Sequence, residues 1–417
     1  MIFKVVRDFF SRLAVRLDFP FLTALVWSSS IVYSKGFSRE KNFFIVLSRP
    51  GGYEDILACR KFSQSAVHFC FFPRSLIKHV TQELLDPKFS DWNYVDGDSF
   101  SKEITRQYFF RVIRYLKLLV SFEGFLSFNI VYHPEKELSA ACLDCEKLFV
   151  VLQKEMYRTV MADKHYVNKI QSAHTEFKFS KVFVYNAQCK AALLSTGKFA
   201  LNDVVVVGCP RLDSAHALRR LNVSSVPRSI VYYSVQPNAG FATLDEFVSG
   251  NFSGFTDLVE EMLHRFCIEN PDVTLFVKSK KQSQQYLSRN KALLPGNIRF
   301  FVGGDGQQLL SKGAVVVGLN STSLCEALAS GRIVISLDAM AEIPVGLRAY
   351  LHRFEDVAYR PSSLSELKVC LSDLLSKDLV LDSDLAPIKR RFLKKALGND
   401  EGNSSLSLEA SLVEISR

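Results

Sequence analysis

Three hydroxyl residues in a row, Ser321, Thr322 and Ser323, follow the apolar run "AVVVG" (314–318) and lead into a helical pattern, "LCEALASG" (324–331). A strand that turns straight into a helix aims the free N–H groups of that helix at whatever lies beyond the strand. Those donors and the helix dipole favour an anion, and hydroxyls beside them add hydrogen bonds. The same residues suit a local task as well, because Ser323 and Glu326 have the spacing of a capping box. Two readings stand: a phosphate held by Ser321 and Thr322, and a helix end satisfied by Ser323 and Glu326.

Two other clusters carry ligand chemistry. Lys278 and Ser279 stand at the end of the apolar run "VTLFVK" (273–278), where a lysine reaches a phosphate or another anion. Lys280 and Lys281, next along the chain, fit a solvated basic turn. "SRPGGYEDI" (48–56) follows the first apolar run, and Gly51 and Gly52 beside Arg49 permit close backbone approach to a ligand. An ordinary tight turn explains them equally. The loop is not G-x-G-x-x-G, so a dinucleotide site is not supported. Cys142 and Cys145 form a lone CxxC, and the eight His lack H-E-x-x-H or other metal spacing. No metal and no cofactor are expected.

These residues need elements to hold them. Apolar runs recur at "FFIVL" (43–47), "AVHFCFF" (66–72), "LSFNIVY" (126–132), "KLFVVL" (147–152), "KVFVY" (181–185) and "DVVVVG" (203–208). The second half repeats the pattern with "SIVYYS" (229–234), "VTLFVK", "IRFFVG" (298–303), "AVVVG" and "IVISL" (333–337). Such runs alternating with helical patterns predict parallel sheets covered on both faces. A chain of 417 residues exceeds one ordinary core, so two α/β, doubly wound, Rossmann-like domains facing a central cleft are expected. Pro227 breaks "RLDSAHALRRLNVSSVPRS" (211–229) just before the second strand series. The expected division is an N-terminal domain over 1–220, a second domain over 221–385, and a C-terminal helix and tail over 386–417.

Hydrophobic residues make up 48% and charged residues 23%, which excludes a disordered chain. The net charge of +9 suits an anionic ligand or an anionic membrane surface. The basic residues are dispersed and accompany no nucleic-acid-binding signature, so nucleic acid is not an expected partner. Nine scattered Cys fit reduced thiols in a cytoplasmic protein.

"GLNSTSLCEALASGRIVIS" resembles the segment of GT-B glycosyltransferases in which a small-residue loop and a helix N-terminus hold the donor phosphate. "VVVVGCPRLD" (204–213) resembles the G-x-P-R-x-D segment of surface-polysaccharide transferases and related glycerophosphotransferases. "LFVVLQKE" (148–155) is similar to the strand-end K-E segment of bacterial transferases that add the eight-carbon acidic sugar Kdo in β linkage. The glycerophosphotransferases carry K-x-H-P where this chain has Lys278-Ser279-Lys280-Lys281, which argues against glycerophosphate transfer.

The resemblance implies a glycosyltransferase of lipopolysaccharide or capsule biosynthesis, with CMP-Kdo as the donor and retention of configuration. It implies Asp213 as nucleophile, Glu155 as acid/base, and Arg211 and Lys154 orienting carboxylates or phosphate. Asn320, Ser321, Thr322, Ser323, Glu326, Lys278 and Ser279 would then line the donor, and "GGDGQQLLSKG" (303–313) would touch its base or ribose. Arg49, Gly51 and Gly52 would meet the acceptor sugar, making 1–220 the acceptor-side domain and 221–385 the nucleotide-sugar domain. From the residues alone, Asp213 is also a good helix N-cap before "SAHALRRL", and Glu155 a good first-turn residue. A sugar-nucleotide 2-epimerase has the same architecture, but no acid/base set for it is identifiable. A non-catalytic assembly scaffold is the third alternative.

The first residues, "MIFKVVRDFFSRLAVRL", place Phe3, Val6, Phe10, Leu13 and Leu17 at helical spacing among Lys4, Arg7, Arg12 and Arg16. A basic amphipathic helix of this kind lies on an anionic membrane or packs its apolar face on its own domain. The first reading puts the protein on the inner face of the cytoplasmic membrane, near a lipid-linked acceptor.

Overall fold

The computed structural model describes residues 2–33, 42–49, 52–64, 66–91, 93–94, 99–154, 157–172, 178–234, 253–279, 295–302, 306–377 and 385–417. The apolar runs form two separate parallel sheets. One contains β1 (Asn42–Ser48), β2 (Val67–Pro73), β3 (Gly124–Ser127), β4 (Leu148–Leu152), β5 (Lys181–Val184) and β6 (Val204–Val206), in the order β2-β1-β3-β4-β5-β6. The other contains β7 (Ser229–Tyr233), β8 (Thr274–Ser279), β9 (Ile298–Val302), β10 (Val315–Gly318) and β11 (Ile333–Ser336), in the order β11-β10-β7-β8-β9.

The strand composition accounts for the sheets. Val315, Val316 and Val317 point alternately to the two faces, yet all three are buried. Both faces must therefore be covered, as parallel sheets require. One face of the second sheet packs Val259, Leu263 and Phe266 of the helix Ser253–Glu269 against Leu275, Val277, Val315 and Val317. In each sheet the strand order reverses once, between β1 and β3 and between β7 and β10. A doubly wound sheet opens a crevice beyond the carboxyl ends of its strands at such a reversal.

The chain divides into two compact units, and each is discontinuous in sequence. The first comprises residues 1–156, 167–210 and 403–417; the second comprises 157–166 and 211–402. The helix Arg211–Arg220 lies in the second unit, where its buried face bonds to Asn399 and Arg219 Nε donates to the Ala329 carbonyl at 3.2 Å. Asn399 Nδ2 donates to Asp213 Oδ1 at 2.6 Å, and the Asn399 carbonyl lies 3.4 Å from His216 Nε2. Burial lowers the His216 imidazole to about 4, a packing role for this residue.

The C-terminal helix Ser404–Ile415 belongs to the first unit. Its buried Glu409 accepts from the backbone N–H groups of Gln64 (2.6 Å), Ala66 (2.6 Å) and Val67 (3.2 Å). One carboxylate thus satisfies three amides where the chain enters β2.

Candidate functional site

In the second unit the strand reversal brings together the ends of β7 and β10. Gly318 ends β10, and a Cβ there would lie 3.2 Å from Leu324 Cδ2 and 3.5 Å from Tyr233 Cβ, so glycine suits the close packing of these strand ends. The Tyr233 hydroxyl donates to the Gly306 carbonyl at 2.9 Å. Ser234 continues from β7, donating its N–H to the Lys278 carbonyl at 3.0 Å and its hydroxyl to Glu260 Oε1 at 2.6 Å. Burial pushes the Glu260 carboxyl above its ordinary range, against the opposing effect of the Ser234 hydrogen bond. Lys278 is half-buried at this end of β8, and Ser279 beside it is buried.

The hydroxyl cluster is at the same end of the sheet. The helix Thr322–Ala329 has Ser321 as its N-cap, and the Ser321 hydroxyl accepts from the Ser323 N–H at 3.2 Å. Ser321, Thr322 and Ser323 are half-buried, whereas Leu324 through Ala329 are all buried. The exposed part of the helix is therefore its amide-bearing end, the end that attracts an anion. The capping assignment moves from Ser323 to Ser321, because the helix starts at Thr322, two residues earlier than the apolar pattern alone places it. Glu326 then lies in the second turn, buried, and cannot complete a box with Ser323. Ser321→Ala is expected to lower stability by about 1 kcal/mol, and Ser323→Ala by less than about 0.5 kcal/mol, in urea unfolding.

Asn320 has left-handed backbone geometry (φ 45°) and uses both ends of its amide on a neighbouring loop. Its Oδ1 accepts from the His352 N–H at 2.9 Å, and its Nδ2 donates to the Tyr350 carbonyl at 3.4 Å. That loop is held in turn by the segment 157–166. Tyr157 stacks on His352 with ring centroids 3.6 Å apart, Thr159 Oγ1 donates to the Ala349 carbonyl at 3.0 Å, and Tyr350 meets His165 Nε2 at 2.9 Å. Burial brings the His352 imidazole down to about 4, so it packs as a neutral ring. The structure thus gives Asn320, expected on the donor side, a bracing task.

The remaining candidates are distributed as follows. Asp213 is in the first turn of the helix Arg211–Arg220 and is buried, with Asn399 as a donor to its carboxylate. The Arg211 carbonyl accepts from Gln307 Nε2 at 2.7 Å, tying this helix start to the segment after β9. Lys154 follows β4 in the first unit, buried, with its N–H donating to the Phe128 carbonyl at 3.1 Å. Glu155, Gly51, Lys280 and Lys281 lie outside the described residues, as do residues 303–305 of the glycine loop and the segment 235–252 after β7. No group of three His, Cys, Asp or Glu among the described residues is placed to hold a metal ion.

In the first unit, Gly52 is required by packing: a Cβ there would fall 2.4 Å from the Phe128 ring. Arg49 stacks over the Tyr132 ring at 3.9 Å, and Arg74 lies over the same ring at 4.4 Å. Arg74 also donates to the buried carboxylate of Glu135, as does the hydroxyl of Ser127 at the end of β3. Burial pushes the Glu135 carboxyl up, opposed by Arg74, the Ser127 hydrogen bond and Arg49. The sequence did not single out Arg74, Tyr132 and Glu135. Their signal is positional: Arg74 directly follows β2, and "YHPE" opens the helix His133–Asp144 beyond β3.

No protein-family model and no curated protein sequence matches this chain. Solved structures do. A putative UDP-N-acetylglucosamine 2-epimerase from Listeria monocytogenes superposes with a TM-score of 0.51 at 13% identity, over 90% of this chain and 96% of that one. The UDP-GlcNAc 2-epimerase of Methanocaldococcus jannaschii gives 0.50 at 14% identity, over 90% and 99% of the two chains. The Neisseria meningitidis UDP-GlcNAc 2-epimerase, bound to UDP-GlcNAc, gives 0.50 at 11%, over 90% and 99%. The fold is GT-B-like. In GT-B terms the first sheet belongs to the N-terminal domain and the second to the C-terminal domain, whose β7/β10 reversal carries the hydroxyl-capped helix.

Proposed function

We propose that this protein is a nucleotide-sugar-dependent glycosyltransferase of cell-surface polysaccharide biosynthesis, with CMP-Kdo as donor and a glycan or lipid-linked acceptor. The observation that carries the reading is the half-exposed hydroxyl-bearing N-terminus of an otherwise buried helix, at the strand reversal of a doubly wound sheet. Amides and hydroxyls fixed there stabilise the charge that grows on a leaving phosphate without reorganising. In the retaining course, an Asp213 oxygen bonds to the anomeric carbon as the bond to the CMP phosphate breaks, and CMP leaves with that electron pair. The acceptor hydroxyl then attacks the same carbon, Asp213 is released, and Glu155 takes the hydroxyl proton. Arg211, Lys154 and Lys278 supply positive charge for the phosphate or the sugar carboxylate.

A second reading has a specific observation behind it, because the three epimerases share the fold and one of them binds UDP-GlcNAc. The two separate by product. Incubation with CMP-Kdo and a lipopolysaccharide or capsule acceptor is expected to release CMP with sugar incorporated into the acceptor. Turnover only with a UDP-sugar would end the Kdo assignment, and conversion of UDP-GlcNAc to its 2-epimer without any acceptor would establish the epimerase instead. Absence of nucleotide binding in calorimetry supports neither enzyme and leaves the scaffold.

A further inference from the structure

The amphipathic helix Ile2–Arg16 packs inward through a face of short side chains and leaves its large apolar ones outside. Ser11, Ala14 and Val15 are buried, and the Ser11 hydroxyl lies 3.2 Å from His79 Nδ1 on the helix Ser75–Leu84. Arg16 and Arg12 on the flanks of that face pair with Glu83 at 2.9 and 3.5 Å. The opposite face therefore points to water, and it is the apolar one. Phe3 is 76% exposed and Phe9 60%, with Val5, Val6, Phe10 and Leu17 also exposed. The helix packs on its own domain and leaves its aromatic side exposed, the reverse of the packing in which the apolar face turns inward.

A second element extends this surface. The turn after the helix exposes Phe19, the next helix, Pro20–Ser30, exposes Phe21 at its start, and the Phe21 ring meets Tyr115 on the helix Ser99–Leu119 at 5.4 Å. Asp18 in the same turn pairs with Arg111 of that helix at 2.6 Å. One turn beyond Tyr115, Leu118 is 81% exposed. Exposed Arg111, Arg114 and Lys117 alternate with these residues, and Lys4 and Arg16 stand exposed on the first helix. Asp18 and Glu83 pair with Arg111 and Arg16, so among the described residues the cations of this face outside ion pairs are Lys4, Arg114 and Lys117.

We propose that this composite face, the outer side of the helix Ile2–Arg16 together with Phe19, Phe21 and the last turns of the helix Ser99–Leu119, docks on an anionic lipid bilayer. Aromatic and aliphatic side chains enter the interfacial region while flanking Lys and Arg meet lipid phosphates. No helix among the described residues is long and apolar enough to cross a membrane, so the contact lies on the surface. Charge decides against a second copy: a two-fold interface sets the same patch against itself, and here that would oppose cation to cation. The inference does not rest on the transferase reading.

Sedimentation of the full chain with vesicles tests it. The protein is expected to pellet with phosphatidylcholine vesicles that contain phosphatidylglycerol, and weakly with phosphatidylcholine alone. Phe9→Ser with Phe10→Ser should reduce the pelleted fraction at least about tenfold, with unchanged circular dichroism because both side chains are exposed. Arg114→Glu with Lys117→Glu, which leaves every aromatic in place, should abolish the preference for anionic vesicles. Wild-type protein that stays in the supernatant with anionic vesicles overturns the proposal, as does unaltered pelleting of both variants. A dimer in size-exclusion chromatography that the Phe substitutions disperse, without vesicle binding, overturns it in favour of self-association.

Discussion

Asp213→Asn is expected to lose at least about a thousandfold in kcat for sugar transfer, with its urea midpoint unchanged. The substitution suits this site. An asparagine keeps a side-chain carbonyl oxygen to accept from Asn399 Nδ2, now at 2.6 Å from Asp213 Oδ1, so the anchoring bond survives. What it removes is the negative charge and the nucleophilic lone pair. A wholly structural aspartate would give a different pattern: Asp213→Asn nearly as active as the wild type, with Asp213→Ala destabilised by loss of the buried acceptor. Glu155→Gln is expected to match Asp213→Asn in activity. Full activity in either variant removes that residue from the mechanism.

Glu409→Ala is expected to destabilise the first unit by about 3 kcal/mol or more, because it leaves the N–H groups of Gln64, Ala66 and Val67 without their acceptor. That is a large share of the roughly 5–15 kcal/mol by which domains are stable. Tryptophan fluorescence probes this unit, since Trp27 is fully buried in it. A urea midpoint by Trp fluorescence equal to that of the wild type would show that the carboxylate contributes little.

The parallel strands were legible because burial on both faces demands unbroken apolar runs, and "FFIVL", "KLFVVL" and "AVVVG" fall within a residue or so of β1, β4 and β10. "LSFNIVY" was legible only in part. The strand stops at Ser127, where the chain leaves the sheet and Gln153 Oε1 takes up the Ile130 N–H at 2.9 Å. Long-range partners carry no local pattern. Nothing near Asp213 or His216 announces Asn399, about 180 residues on, and it is Asn399 that holds the helix Arg211–Arg220 within the second unit. The capping shift from Ser323 to Ser321 has a similar origin: with three adjacent hydroxyls, the backbone geometry at Ser321 selects the cap. The amphipathic period of the first helix was plain, but periodicity does not say which face turns inward, and Glu83 and His79 decide that.

The discontinuity of the first unit sets an order of events during synthesis. Domains generally fold as they emerge, N-terminal first. Here β1 to β6 leave the ribosome early, yet the helix that supplies Glu409 is made only after the whole of the second unit. The amides of Gln64, Ala66 and Val67 must wait for it through some 340 residues of translation. The second unit also waits for late chain, because Asn399 closes on Asp213 across 186 residues, but that contact is made before residue 403 is added. The unit made first is therefore the one completed last, and a nascent chain arrested before residue 403 should hold a finished second sheet beside an unfastened first one.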